Sequence, residues 1–205
     1  GGYFIVNGIE RVIRLLQVPR RNYATAILRP SFRNRGANYS DKGIAMRCAR
    51  PDQSTQTVVL HYLTTGSATL RFTIRKQEFL VPMLVILKSL CPCTDREIYE
   101  RLLQGDNQNM FLSARLELLL QDSRQWGVHT QGEALTFLGK RFRTVSSLPE
   151  RMSDELVGME ILRRHVLVHV DQPADKFEAL LHMARKLYAF VQGRCRADNA
   201  DALAN

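Results

Sequence analysis

The sequence predicts an α+β fold, with strands in the first half and helices in the second. Three observations carry this. Asn7-Gly8 sits between two apolar runs, and a type I′ turn needs positive φ at both central residues. "TVVLHYLTTGSATLRFTIR" places two β-branched and aromatic runs around a turn that contains Gly66. From Pro82 onward the apolar residues recur at helical spacing, most regularly at Phe177, Leu180, Leu181, Ala184, Leu187, Tyr188 and Val191.

The elements follow in chain order. Tyr3 to Val6 and the run from Ile9 flank the first turn. Ile9, Val12, Ile13 and Leu16 also fit a helical period, and the turn chemistry before them favours a strand. Tyr23 to Leu28 reads as a short strand that Pro30 ends. Ser31 to Lys42 is rich in Arg, Asn, Gly and Ser and reads as a loop. The hairpin around Gly66 comes next. Pro82 suits the first turn of a helix over "MLVILKSL". Thr94 and Glu97 form a capping-box pattern at the head of "DREIYERLLQ". Met110 to Gln121 and Gly132 to Phe142 are further helices. Ser147 with Glu150 offers a second cap, for a segment running toward Arg164. Gly193 can end the last helix, and "RCRADNADALAN" beyond it is small and polar and reads as frayed.

Composition bounds the function. Apolar residues make up 45% of 205, enough for a substantial core in one domain, or one domain with part of another. The densest apolar stretch, "FLVPMLVILKSLC", is interrupted by Pro82 and Lys88 and reads as buried core, not as a membrane span. The first residues show no charged n-region and no small-residue cleavage site. Four cysteines do not make a disulfide framework at this length, which favours a reducing compartment. The chain opens at full hydrophobic density, in mid-hairpin and without Met, which predicts a piece of a larger protein.

The net charge is +9. Ten basic residues and two acidic ones between Ile9 and Arg50 give that stretch +8, so the rest is almost neutral. Such a block points to nucleic acid or an acidic protein surface. Arg20, Arg21, Arg29, Arg33, Arg35 and Lys42 are the candidate contacts. Tyr23, Phe32 and Tyr39 interleave with them, and arginine with aromatics can follow a phosphate backbone and stack on bases. A solvated face, or one docked on protein, has the same composition, and both readings stay open.

Catalytic signals are weak. Cys91-Pro-Cys93 is the only close cysteine pair, and Cys48 and Cys195 give no second knuckle for zinc. His165 and His169 are four apart, but Val166, Leu167 and Val168 stand where a zincin helix needs its glutamate. These histidines read as structural; the rival is a small transferase or hydrolase built on them. There is no phosphate-binding loop, dinucleotide fingerprint or nucleophile elbow. Asp95, Glu97 and Glu100 favour a helix N-terminus and do not make a two-metal cluster. No residue is assigned to catalysis or to metal binding.

"GGYFIVNGIERVI" resembles the stretch that precedes the lobe in second-largest subunits of cellular DNA-directed RNA polymerases, whose bacterial counterpart is the β subunit. "VPRRNYATAILRPSFRNRGANYSDKGIAMRCARPDQSTQTVVLHYL" is similar to the RNA polymerase I version in particular. So are "RKQEFLVPMLVILKSLC", "TDREIYERLL", "SARLELLL", "LTFLGKRFR" and "VLVHV". The resemblance implies that residues 1–17 end the first protrusion segment, that 18–170 form the lobe, and that 171–205 lead back into the protrusion. It implies a non-catalytic scaffold near downstream DNA, within a nuclear and nucleolar enzyme that makes ribosomal RNA precursor. The implied partners are the largest subunit, a TFIIF-like heterodimer and a small zinc-ribbon subunit, with no membrane. The Mg²⁺ and Zn²⁺ of the parent complex would lie elsewhere. The alternative is an autonomous basic nucleic-acid-binding domain.

Overall fold

A computed structural model describes residues 2–13, 20–106, 108–149 and 151–198. Expectations that rest on Arg14, Leu16, the boundary between residues 17 and 18, Glu150 and residues 199–205 fall outside the described residues. The strand-rich half and the helix-rich half follow one another as the sequence predicts.

β1 (Phe4–Val6) and β2 (Ile9–Arg11) pair antiparallel across the Asn7-Gly8 turn. Asn7 and Gly8 both have positive φ, 51° and 75°, as a type I′ turn requires. Phe4, Ile5, Val6, Ile9, Val12 and Ile13 are all exposed.

The main sheet is an antiparallel meander in the order β3-β4-β5-β6-β7. Its strands are β3 (Ala24–Leu28), β4 (Tyr39–Ala49), β5 (Thr55–Leu63), β6 (Ala68–Ile74) and β7 (Gln77–Pro82). The segment read as a loop, Ser31 to Lys42, is mostly structured. It holds a 3-10 helix (Pro30–Arg35) and the first residues of β4. The register slips between Tyr39 and Gly43, where β4 carries an irregularity.

Side chains alternate across a strand, so each strand has two unlike faces. Ile44, Met46 and Cys48 of β4, Val58, Leu60 and Tyr62 of β5, and Leu70, Phe72 and Ile74 of β6 are buried in the core. The intervening positions, Ala45, Arg47, Thr57, Val59, Thr69, Arg71 and Thr73, form the opposite face.

The helices cover the core face. α1 (Met83–Leu90) is buried along its whole length, between the sheet and the other helices. Even Lys88 is buried, with its ammonium 2.7 Å from Asp95 and 2.9 Å from the Val128 carbonyl. α2 (Asp95–Leu103) opens on the Thr94–Glu97 capping box that the sequence predicts. α3 is Met110–Arg124 and α4 is Gln131–Ser146. Thr130 and Glu133 cap α4 in the same reciprocal way.

The predicted Ser147 cap is corrected. Ser147 takes a left-handed conformation and ends α4, and α5 (Asp154–His165) is capped by Ser153. Arg143 of α4 ties the two together, donating to Asp154 from Nε at 2.9 Å and to the Met152 carbonyl at 2.7 Å.

α6 (Pro173–Gln192) buries the predicted apolar stripe against β3, β4 and β5. Its Lys176 is buried and donates to the carbonyls of Leu162 and Val166, both at 2.7 Å. That ammonium serves the α5 C-terminus, where carbonyls lack helical partners. Burial still outweighs this and pushes the Lys176 pKa down to about 8.

β5 and β6 are interior strands with neighbours on both sides, so neither offers an edge for strand addition. The edges are β3 and β7. Residues 194–198, read as the start of a frayed tail, are docked through Asp198. The Ala26 amide donates to the Asp198 carboxylate at 2.7 Å, and the Asp198 amide donates to the Ala26 carbonyl at 2.9 Å. Lys186 adds a bond to the Ala24 carbonyl at 2.6 Å. These contacts occupy the open backbone groups of β3 and blunt that edge against pairing with another chain.

Candidate functional site

The sheet face turned away from the helices is only partly covered. The 3-10 helix lies over it through Phe32, which is buried and meets His61 edge-on, with ring centroids 4.5 Å apart. The Tyr39 ring also meets this imidazole edge-on, with centroids 5.8 Å apart. Both His61 nitrogens are buried, and among the described residues neither has a hydrogen-bond partner. Burial, with Arg71 and Arg35 nearby, pushes the His61 pKa down to about 3.

Beside Phe32 a cavity of about 300 Å³ opens on this face. Ile27, Phe32, Ala45 and Val59 give it an apolar lining. Arg20, Arg29, Arg47 and Arg71 also line it, and among the described residues no carboxylate does. The strand register places these groups. Ala45 is opposite Val59, Val59 is opposite Arg71, and Arg47 is opposite Thr57. A second cavity, of about 490 Å³, continues across β5 to β7 and shares Thr57 and Arg71 with the first. It adds Arg75, Lys76 and His165, and its one carboxylate among the described residues is Glu78. The two cavities make one cationic strip.

The six candidate contacts divide. Arg20 and Arg29 line the first cavity; Arg20 also lies over the Tyr23 ring, 5.0 Å from its centroid. Arg21 lies next to it in sequence but donates to the Gln53 side-chain carbonyl. Arg33 pairs with Asp41 at 2.6 Å, and Arg35 with Glu78 at 2.7 Å. Arg71 also pairs with Glu78, and these arginines hold its carboxyl below the usual carboxylate range, Arg35 most strongly. Lys42 points elsewhere, toward the end of α6, 3.4 Å from the Val191 carbonyl and over the Phe190 ring.

Among the first cavity's arginines, Arg47 and Arg71 are the ones that the sequence-derived set lacks. Each interrupts a strand at an outward position, where alternation would otherwise leave a small or hydroxyl residue. That interruption was the available signal, and it requires β4 to be recognised as a strand.

The other candidates do not converge. His165 ends α5, while Val166, Leu167 and Val168 are buried in an irregular turn with Leu167 at φ 45°. No one helix therefore carries both histidines, and burial lowers the pKa of each. Cys91 and Cys93 have thiol pKa values raised by burial first. Among the described residues, no three His, Cys, Asp or Glu side chains are grouped to hold a metal ion.

The chain matches the family described as RNA polymerase Rpb2, domain 2, over residues 22–205. It is 50% identical to the DNA-directed RNA polymerase I subunit RPA2 of Neurospora crassa, over 100% of this chain and 18% of that relative. It is 52% identical to the DNA-directed RNA polymerase I subunit RPA135 of Saccharomyces cerevisiae, over 98% of this chain and 17% of that one. Against the human DNA-directed RNA polymerase I subunit RPA2 the identity is 37%, over 100% of this chain and 18% of the relative. The chain thus spans less than a fifth of the length of these relatives. With an α+β lobe whose helices bury one sheet face and leave the other cationic, the chain belongs to the RNA polymerase Rpb2 domain 2 family.

Proposed function

We propose that this chain is the lobe of a second-largest subunit of RNA polymerase I and acts there as a non-catalytic scaffold. Nucleotidyl transfer for ribosomal RNA precursor, with its Mg²⁺ chemistry, belongs to the parent complex in the nucleolus. The lobe lines the cleft near downstream DNA and docks a TFIIF-like heterodimer and a small zinc-ribbon subunit. The observation that carries the docking role is the cationic strip on the open sheet face, where Arg20, Arg29, Arg47, Arg71, Arg75 and Lys76 share the lining with one carboxylate, Glu78, among the described residues. An acidic surface approaching such a strip gains encounter rate and register from complementary charge.

Calorimetry of the chain against the TFIIF-like heterodimer at two salt concentrations tests this. Binding is expected at low salt and should weaken markedly at physiological salt, where screening shortens to about 8 Å. No detectable binding at either concentration, with both partners folded, overturns the docking role.

A further inference from the structure

The first of the two cavities has a composition that solvation alone does not explain. Arginine guanidinium groups repel one another, and a surface that only needs to stay soluble mixes its signs. Here Arg20, Arg29, Arg47 and Arg71 border one recess of about 300 Å³ that, among the described residues, no carboxylate lines. Of these four, Arg71 is ion-paired, with Glu78 outside the recess, and the Arg33–Asp41 and Arg35–Glu78 pairs also lie outside it. The floor, meanwhile, is apolar, from Ile27, Phe32 and Val59.

We propose that this cavity, between the 3-10 helix and strands β3 to β6, binds an acidic side chain of an extended peptide segment supplied by a protein partner. The reasoning rests on the docking role of the open face and names the chemistry of its occupant. Arginine presents a planar fork of donors that matches a carboxylate in two-point fashion. A glutamate brings an aliphatic stem for the apolar floor and a carboxylate for the rim. An apolar neighbour along the segment would cover Phe32 and Val59 further. A DNA phosphate offers the charge but no group to cover that floor, so a nucleic-acid backbone leaves it wet. The adjoining cavity, with Arg75 and Lys76, extends the strip across the neighbouring strands, which are spaced roughly 4.8 Å apart. An extended segment crossing them can place further acidic residues there.

Fluorescence anisotropy with a labelled peptide alternating glutamate and leucine tests this on the 205-residue chain. The same peptide with glutamine for glutamate, and a labelled DNA duplex, are the comparison probes. The glutamate peptide is expected to bind, and the glutamine peptide to bind about tenfold more weakly or not at all, since a hydrogen bond to a charged group is worth roughly 1.5–3 kcal/mol. Arg29→Gln with Arg47→Gln should weaken the glutamate peptide by at least about tenfold on the same basis. Arg33→Gln, outside the cavity, should leave it unchanged. Nuclear magnetic resonance shifts on peptide addition should centre on Ala45, Arg47, Val59 and Arg71, which keeps the test open if a variant fails to fold. Equal binding of both peptides, shifts centred elsewhere, or DNA occupying these residues while the glutamate peptide fails to displace it would overturn the proposal. Peptide binding without heterodimer binding would retain the pocket and refute the named partner; the reverse would retain docking and refute the pocket.

Discussion

Gly139→Ala is expected to destabilise the chain by about 2–4 kcal/mol, the range for forcing atoms into a packed interior. In an exposed helix the same change would stabilise by up to ~1 kcal/mol, because alanine is the better helix former. Packing reverses the sign here. A Cβ on Gly139 would lie 2.5 Å from the carbonyl carbon of Asp154, and one on Gly158 would lie 3.0 Å from that of Leu135. Both obstacles are backbone, so no side chain can swing aside. The two glycines let α4 and α5 approach closely, and the Arg143–Asp154 contacts hold them at that separation. Thermal unfolding should show a fall in midpoint of roughly 4–16 °C, at about 2–4 °C per kcal/mol for a chain of this size. Gly132→Ala is the control, since its Cβ would meet only the flexible end of Glu155, at 3.2 Å. Equal effects of the two substitutions would refute the close-packing account.

The second large effect is on acid stability, through His61. Its folded pKa is depressed to about 3 by burial and by the neighbouring arginines. The unfolded imidazole takes up its proton near pH 6.5, so below that pH the unfolded chain binds more protons than the folded one. The stability held above pH 6.5 is therefore lost as the pH falls toward 3. Each pH unit in that window costs about 1.4 kcal/mol, so roughly 2–3 kcal/mol is gone by pH 4.5. His165 and His169 are shifted in the same direction and add to the loss. Denaturant titrations at pH 7 and pH 4.5, on the parent and on His61→Leu, separate the contribution. The difference between the two pH values should shrink by that amount in the variant. An unchanged difference would mean that His61 is not the buried neutral group described.

Legibility in the sequence followed how local each signal was. The Asn7-Gly8 turn, the Thr94–Glu97 box and the α6 stripe depend on a few adjacent residues, and each appears where the sequence places it. β4 was hidden because its outward positions are Gly43, Ala45 and Arg47, which interrupt the β-branched signal although Ile44, Met46 and Cys48 alternate with them. Ser147 was a plausible cap by residue type, but the chain turns there through a left-handed residue and uses Ser153 instead. Docking of the tail on β3 depends on Asp198 and Ala26, 172 residues apart. No local pattern encodes such a contact. The candidate site was half legible for the same reason. Arg20, Arg29 and Arg47 stand in a visible charge block, whereas Arg71 lies outside it and joins them only through strand register.

The proposed protein-docking role of the open sheet face can be tested directly in an assembled polymerase. Thr57 is exposed and lines both cavities, which makes it the position to probe. A photo-crosslinking amino acid placed there, within the intact polymerase, should capture a protein subunit through an acidic segment identifiable by mass spectrometry. Capture of DNA at Thr57, or no crosslink in the assembled enzyme, would contradict the account.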